Sequence, residues 1–234
     1  MFWSFPKEDL DFDSGEIYLN FISVLLAQST PPAAPAPAPA APAPAPPAAP
    51  APASKPSIAV VTNPEVVGIE VETIEPLFAP PSFHHQPNLS YYELETCALH
   101  LSLQLKVLER MGWTLLFWQP SDIRIVNKQF YLLVNLQQVV PLHKPDPFYL
   151  KLRVPFIFDA EVVAPELLQL TEIPCIIPRS ASYYSLGLLC CRLWIGGGVG
   201  TGGKSLADLN GTRLDYFIQR CMVADPKQRV CQFV

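Results

Sequence analysis

Charge is scarce in this chain, at 16% of its 234 residues, and none of it gathers into a basic run. With a formal net charge of −5, binding to nucleic acid through phosphate neutralisation is excluded as a main activity. No stretch reaches the ~18 uninterrupted apolar residues of a membrane-spanning helix. Ahead of residue 90, glycine occurs only at Gly15 and Gly68, so no glycine-rich turn is available there to cradle a phosphate. Lysine is as sparse, with Lys55 alone between Lys7 and Lys106. The six cysteines contain no Cys-x-x-Cys spacing, and Cys190 and Cys191 are neighbours inside an apolar run. They read as small buried hydrophobes in a reducing compartment, not as a disulfide or zinc framework. His84 and His85 have no further ligand at metal-site spacing and read as an exposed loop pair. An acidic lead (Glu8, Asp9, Asp11, Asp13) stands where a secretory signal would carry positive charge. The expected location is therefore intracellular, with no secretion and no membrane span.

What the chain does hold is apolar material and proline. Half its residues are hydrophobic, ample for one globular core. Twelve of the 27 prolines fall in the Pro/Ala tract of residues 31–56, which reads as an extended polyproline spacer, on the order of 70 Å at ~3.1 Å per residue. Before it, Ile17, Tyr18, Phe21, Ile22, Leu25 and Leu26 form one stripe on a predicted short helix, which must bury against its own domain or a partner. After it, Ile58–Thr62 and Val66–Ile74 predict a pair of strands around Asn63-Pro64, with irregular chain from Pro76 to Asn88. Ser90-Tyr91-Tyr92-Glu93 is a capping box opening a helix of about five turns. Its apolar face is Leu94, Cys97, Ala98, Leu101, Leu105 and Leu108, and Gly112 is its left-handed stop. Beyond it, Met111–Gln138 predicts a helix end, a loop on Gln119-Pro120-Ser121-Asp122, and two strands separated by Asn127-Lys128.

That order resembles the C-terminal lobe of a protein kinase. Val163-Ala164-Pro165-Glu166 is similar to the family's A-P-E motif, and Ser182-Tyr183-Tyr184-Ser185-Leu186-Gly187 to the start of its central helix. Asp225-Pro226-Lys227-Gln228-Arg229 resembles the closing D-P-x-x-R. The compact form, and the phrase Gly211–Cys221, look most like kinase-like proteins of large DNA viruses, which would place the protein in the cytoplasm or nucleus of a host cell. The resemblance implies an α+β, mostly helical fold: a kinase-like lobe over residues 88–234, with a reduced N-terminal lobe at 57–87. A spacer at 31–56 and an N-terminal segment at 1–30 precede these.

The resemblance also locates the chemistry, and most of it is replaced. Kinases need a carboxylate to orient the attacking hydroxyl, a lysine on the transferred phosphoryl, and acidic or amide ligands for magnesium. Phe117 stands at the reacting aspartate and Gln119 at the lysine. Asp122 and Asn135 stand at the two metal ligands, as an acid and an amide that could still hold magnesium. The family's buried ion pair is kept, as Glu166 and Arg229. Ser182 replaces the central-helix aspartate that anchors the catalytic loop, and with the loop's own motif gone that anchor is expected to have nothing to hold. The implied function is a catalytically impaired pseudokinase that binds or regulates a protein partner, with no cofactor. Two alternatives stay open. A divergent active serine/threonine kinase would use ATP, magnesium and acids such as Asp146, Asp159 or Glu161. A P-loop nucleotide binder would use Gly198, Gly203, Lys204 and Ser205, which fit G-x-x-x-x-G-K-[ST] but need a strand before them and a helix after.

Overall fold

The computed structural model describes residues 2–6, 60–63, 66–70, 73–77, 89–126, 128, 130–134, 138–153, 155, 162–196 and 204–233. The predicted helix at 17–26, the Pro/Ala tract and the His84-His85 pair lie outside the described residues. The fold among those residues is α+β.

The two expected strands near residue 60 are present as β2 (Val60–Asn63) and β3 (Val66–Glu70), antiparallel with Asn63 opposite Val66. A strand not expected from the sequence, β1 (Phe2–Pro6), pairs along the other edge of β3. Five residues are too few to display alternation, although Phe2, Trp3 and Phe5 carry the aromatic preference of strands. A second correction concerns Ile74–Pro76. These residues were expected to end the β-rich remnant and lead into irregular chain. They form β4, whose Ile74 lies opposite Val126 and whose Pro76 lies opposite Arg124. The boundary expected at residue 88 therefore cuts through a sheet, and Pro76 is tolerated because β4 is an edge strand.

Helix α1 (Tyr91–Arg110) carries the full capping box: Ser90 Oγ accepts the Glu93 N–H at 3.3 Å, and the Glu93 carboxylate accepts the Ser90 N–H at 2.7 Å. The Ser90 hydroxyl also donates to that carboxylate at 2.7 Å, and this bond, with the one from the Ser90 N–H, holds the Glu93 carboxyl below its usual range. Met111 caps the other end, and Gly112 follows at φ +84°, a left-handed turn that side chains resist. All six residues of the predicted apolar face are buried. The chain then forms β5 (Trp113–Leu115), a tight turn at Pro120–Asp122, and the hairpin β6 (Ile123–Val126) and β7 (Phe130–Leu133). Strand β8 (Val139–Pro141) returns to pair with β5, a pairing the sequence did not suggest. Strand β9 (Tyr149–Leu152) pairs with β10 (Cys175–Pro178), and the short helix α2 (Pro165–Leu168) lies between them in sequence. Two helices complete the fold, α3 (Ala181–Ile195) and α4 (Arg213–Cys221), which pack on each other where Gly187 leaves room for Met222.

Among the described residues, sheet order β4-β6-β7 leaves one edge of β7 without a strand neighbour. Two buried polar residues of α1, one helical turn apart, seal it. Gln104 Nε2 donates to the Tyr131 carbonyl at 2.8 Å, and Gln104 Oε1 accepts the Leu133 N–H at 3.0 Å. His100 Nδ1 accepts the Tyr131 N–H at 3.4 Å. The helix thus supplies by side chain what an adjacent strand would supply by backbone. At the far end of α1, the Tyr183 hydroxyl donates to Glu109 at 2.7 Å, with Arg179 at 3.8 Å, joining α1 to α3. Burial pushes the Glu109 carboxyl up from its usual range, and that of the Tyr183 phenol likewise. All six cysteines are free, and Cys97, Cys190, Cys221 and Cys231 are buried as small hydrophobes.

Two predictions follow from the sealed edge. Gln104→Leu keeps the volume but strips partners from two buried backbone groups, and should cost about 2–6 kcal/mol in urea unfolding at about 1–3 kcal/mol per orphaned group. The second concerns pH. Burial holds the His100 imidazole neutral, drawing its pKa down from 6.5 to about 4. Its contribution is complete above pH 6.5 and declines as pH falls from 6.5 through about 4, because protonation is admitted more readily by the unfolded chain. The loss should reach about 3 kcal/mol near the bottom of that window. His100→Asn, which keeps an acceptor but no titration, should flatten the unfolding midpoint over the same range.

Candidate functional site

The segment from Leu115 to Asp122 runs between two apolar cores. Leu115 and Trp118 belong to the larger one, built on α1, the β6–β7 hairpin, α3 and α4. Leu116 and Phe117 belong to the smaller one, with Leu150, Leu152, Val163, Leu167 and Ile177. Phe117 is fully buried there. A phenyl ring offers no lone pair to a proton, and this one is enclosed by hydrocarbon, so the position supplies no general base.

The backbone of the segment is nonetheless held firmly, and from α3. The Trp118 N–H donates to Ser185 Oγ at 2.8 Å, and the Trp118 indole N–H donates to the Ser182 carbonyl at 3.1 Å. The loop is held from α3, though not by the side chain of Ser182, where the family's anchor is absent. Ser185, one turn beyond Ser182, grips the loop, while the Ser182 hydroxyl donates to the Arg179 carbonyl at 2.8 Å. The sequence signal lay in the second serine of Ser182–Gly187, which was read only as part of a motif. Trp118 was not singled out at all.

Past Trp118 the loop turns tightly. The Asp122 N–H donates to the Gln119 carbonyl at 2.9 Å, and the Val134 N–H donates to the Asp122 carbonyl at 2.8 Å. Asp122 is buried, and its Oδ1 accepts from the Ser121 hydroxyl at 3.3 Å. Arg124 folds over the turn, its Nη1 donating to the Ser121 carbonyl at 2.5 Å. Gln119 is half-buried and carries no charge. Asn135 lies outside the described residues, and the expected Asp122–Asn135 pair with it. Among the described residues no group of three or more His, Cys, Asp or Glu side chains could hold a metal ion.

Glu166 and Arg229 do meet. Arg229 donates through Nη1 to Glu166 Oε1 at 2.5 Å and through Nη2 to Oε2 at 3.1 Å, a bidentate pair. Its remaining N–H groups reach the carbonyls of Val223 at 2.8 Å, Ala224 at 3.3 Å and Ser180 at 3.4 Å. The guanidinium also lies over the Tyr184 ring, 4.7 Å from its centroid. A single buried side chain thereby joins α2, both ends of the α3–α4 unit and the closing turn Pro226–Gln228. Its five donors are all used, which is what a buried guanidinium requires.

The other candidates are placed differently. Asp146 Oδ1 accepts the Phe148 N–H at 3.0 Å, capping its own turn. It lines a groove of about 380 Å³ with Arg179, Tyr183 and Arg229. Asp159 and Glu161 lie outside the described residues, as do Gly198 and Gly203. Lys204 donates to the Leu89 carbonyl and sits over the Trp194 ring at 4.5 Å. The Ser205 hydroxyl accepts the Ala207 N–H at 3.2 Å in a capping box with Asp208. The run Leu186–Ile195, where a P-loop needs a strand, is part of α3, and the turn after Ser205 is a short 3-10 segment, Leu206–Leu209. The P-loop alternative loses its framework, and its lysine and serine are engaged in packing and capping.

No known family model matches this chain, and no curated protein matches it by sequence. No described helix is long and apolar enough to cross a membrane.

Arg229→Met should destabilise the protein by about 3–5 kcal/mol in urea unfolding, because it strands a mostly buried carboxylate. Adding Glu166→Gln to Arg229→Met should recover only part of that loss, since three backbone carbonyls stay without their donor. A double-mutant cycle separates the two contributions.

Proposed function

We propose that this chain is a protein-kinase-like module that has lost phosphoryl transfer and works by binding another protein. Four motifs in the family's order carry the resemblance over residues 90–234, and the paired Glu166 and Arg229 are consistent with it. The observation that carries the loss is Phe117, fully buried in an apolar cluster at the place where the resemblance puts the reacting aspartate. Removing the group that orients the hydroxyl, together with the charge at Gln119, takes away the positioning and electrostatic stabilisation on which the reaction depends. The segment around Phe117 is still fastened to α3 through Trp118, so the surface it supports is held in one shape. A rigid, catalytically silent surface serves recognition. The active-kinase alternative would need acids from elsewhere, and Asp146 is already committed to its own turn.

Purified full-length chain, incubated with labelled ATP, magnesium and a generic protein acceptor, should transfer no phosphate above a no-enzyme blank. Asp122→Ala should change nothing. Measurable transfer that Asp122→Ala abolishes would sink the proposal.

A further inference from the structure

We propose that the groove between β8 and β9 is a docking site for an extended peptide segment of a partner protein in which Asp or Glu alternates with bulky apolar residues. The groove measures about 690 Å³. Its wall is apolar, with Leu116, Val140 and Leu152, and its charges are those of Lys144, Lys151 and Arg153. No acidic side chain is among the described residues that line it. In a chain of net charge −5, that is a local reversal of sign.

The spacing selects an extended ligand. Along β9 and the residue after it, Leu150 and Leu152 are buried while Lys151 and Arg153 are exposed, the alternation of a half-buried strand. Their side chains therefore project on one side, about 7 Å apart, the interval at which an extended peptide repeats its own same-side residues. Lys151 faces Ile176 across the β9–β10 pair, and Ile176 is 59% exposed. Ile176 is not among the residues that line the groove, but it extends the outer face beside Lys151, so that a cation and a large apolar side chain lie next to each other there. Nucleic acid fits poorly, because no Phe, Tyr or Trp is among the described residues that line the groove for base stacking. The inference rests on the protein-binding reading above and specifies its partner's chemistry.

The test titrates the full-length chain with a labelled synthetic heptapeptide that alternates Asp with Leu and Phe. It should bind, with affinity falling as salt rises. Lys151→Glu with Arg153→Glu should weaken it about tenfold or more while the melting temperature holds, and a peptide with Lys in place of Asp should regain binding to that variant. Four results would each overturn the proposal. These are no binding, binding indifferent to the double substitution, tighter binding of a phosphoserine peptide or an oligonucleotide, and tighter probe binding after Asp9, Asp11 and Asp13→Asn. The last would make the chain's own N-terminal acids the occupant. Failure here with no phosphoryl transfer leaves the silent-module reading standing, whereas transfer with peptide binding removes that reading and spares the groove.

Discussion

The constraint on which the rest depends is the free edge of β7. An unpaired edge inside a protein must find partners for its N–H and C=O groups or lose the free energy of their desolvation. Here the partners are Gln104 and His100, placed one turn apart on α1 so that both reach the same strand. The arrangement locks helix against sheet in one register, because a shift of either by one residue would aim the amide at the wrong groups. The β6–β7 hairpin is then fixed relative to α1, and the Val134 bond to Asp122 carries that fixity into the loop.

The loop is gripped from its other side by α3. Apolar packing alone would leave the Leu115–Trp118 strip free to slide, since hydrophobic contact is non-directional. The two Trp118 bonds to α3 supply direction, and the alternation of the strip between two cores follows from them. The chemical consequence is specific. The segment keeps a defined backbone path while its central side chain, Phe117, is turned wholly to packing. The side chains that maintain that path are Ser185 and Trp118.

What could be read from the sequence followed from what local patterns encode. The capped helix, its six-residue apolar face and its glycine stop were legible because period and caps are properties of neighbouring residues. The β2–β3 and β6–β7 pairs were legible for the same reason. Strands β1, β4, β5, β8, β9 and β10 were not, being stabilised by partners distant in the chain. The polar ties were hidden differently. Gln104 and His100 sit beside the apolar face, and nothing in their spacing announces that they are buried. Ser182 was read as a lost anchor because the family's acid is missing, yet a hydroxyl one turn later holds the loop. Glu166 and Arg229 were paired by resemblance alone, and no pattern in the residues themselves links positions so far apart.

That last pair bears on why the fold has its present form. An ion pair sheltered from water is seldom the most stabilising choice, since desolvation offsets most of the attraction and apolar replacements often do as well. Arg229 differs from a simple pair in what else it holds. Three of its five donors go to backbone carbonyls: those of Val223 and Ala224, just past the end of α4, and that of Ser180 at the start of α3, which also accepts the Tyr183 and Tyr184 N–H groups. An apolar residue could replace the attraction to Glu166 but not those bonds. The carboxylate then becomes the means of keeping a needed guanidinium neutralised while it closes two helix ends. On this argument the architecture alone accounts for the pair, independently of any reaction.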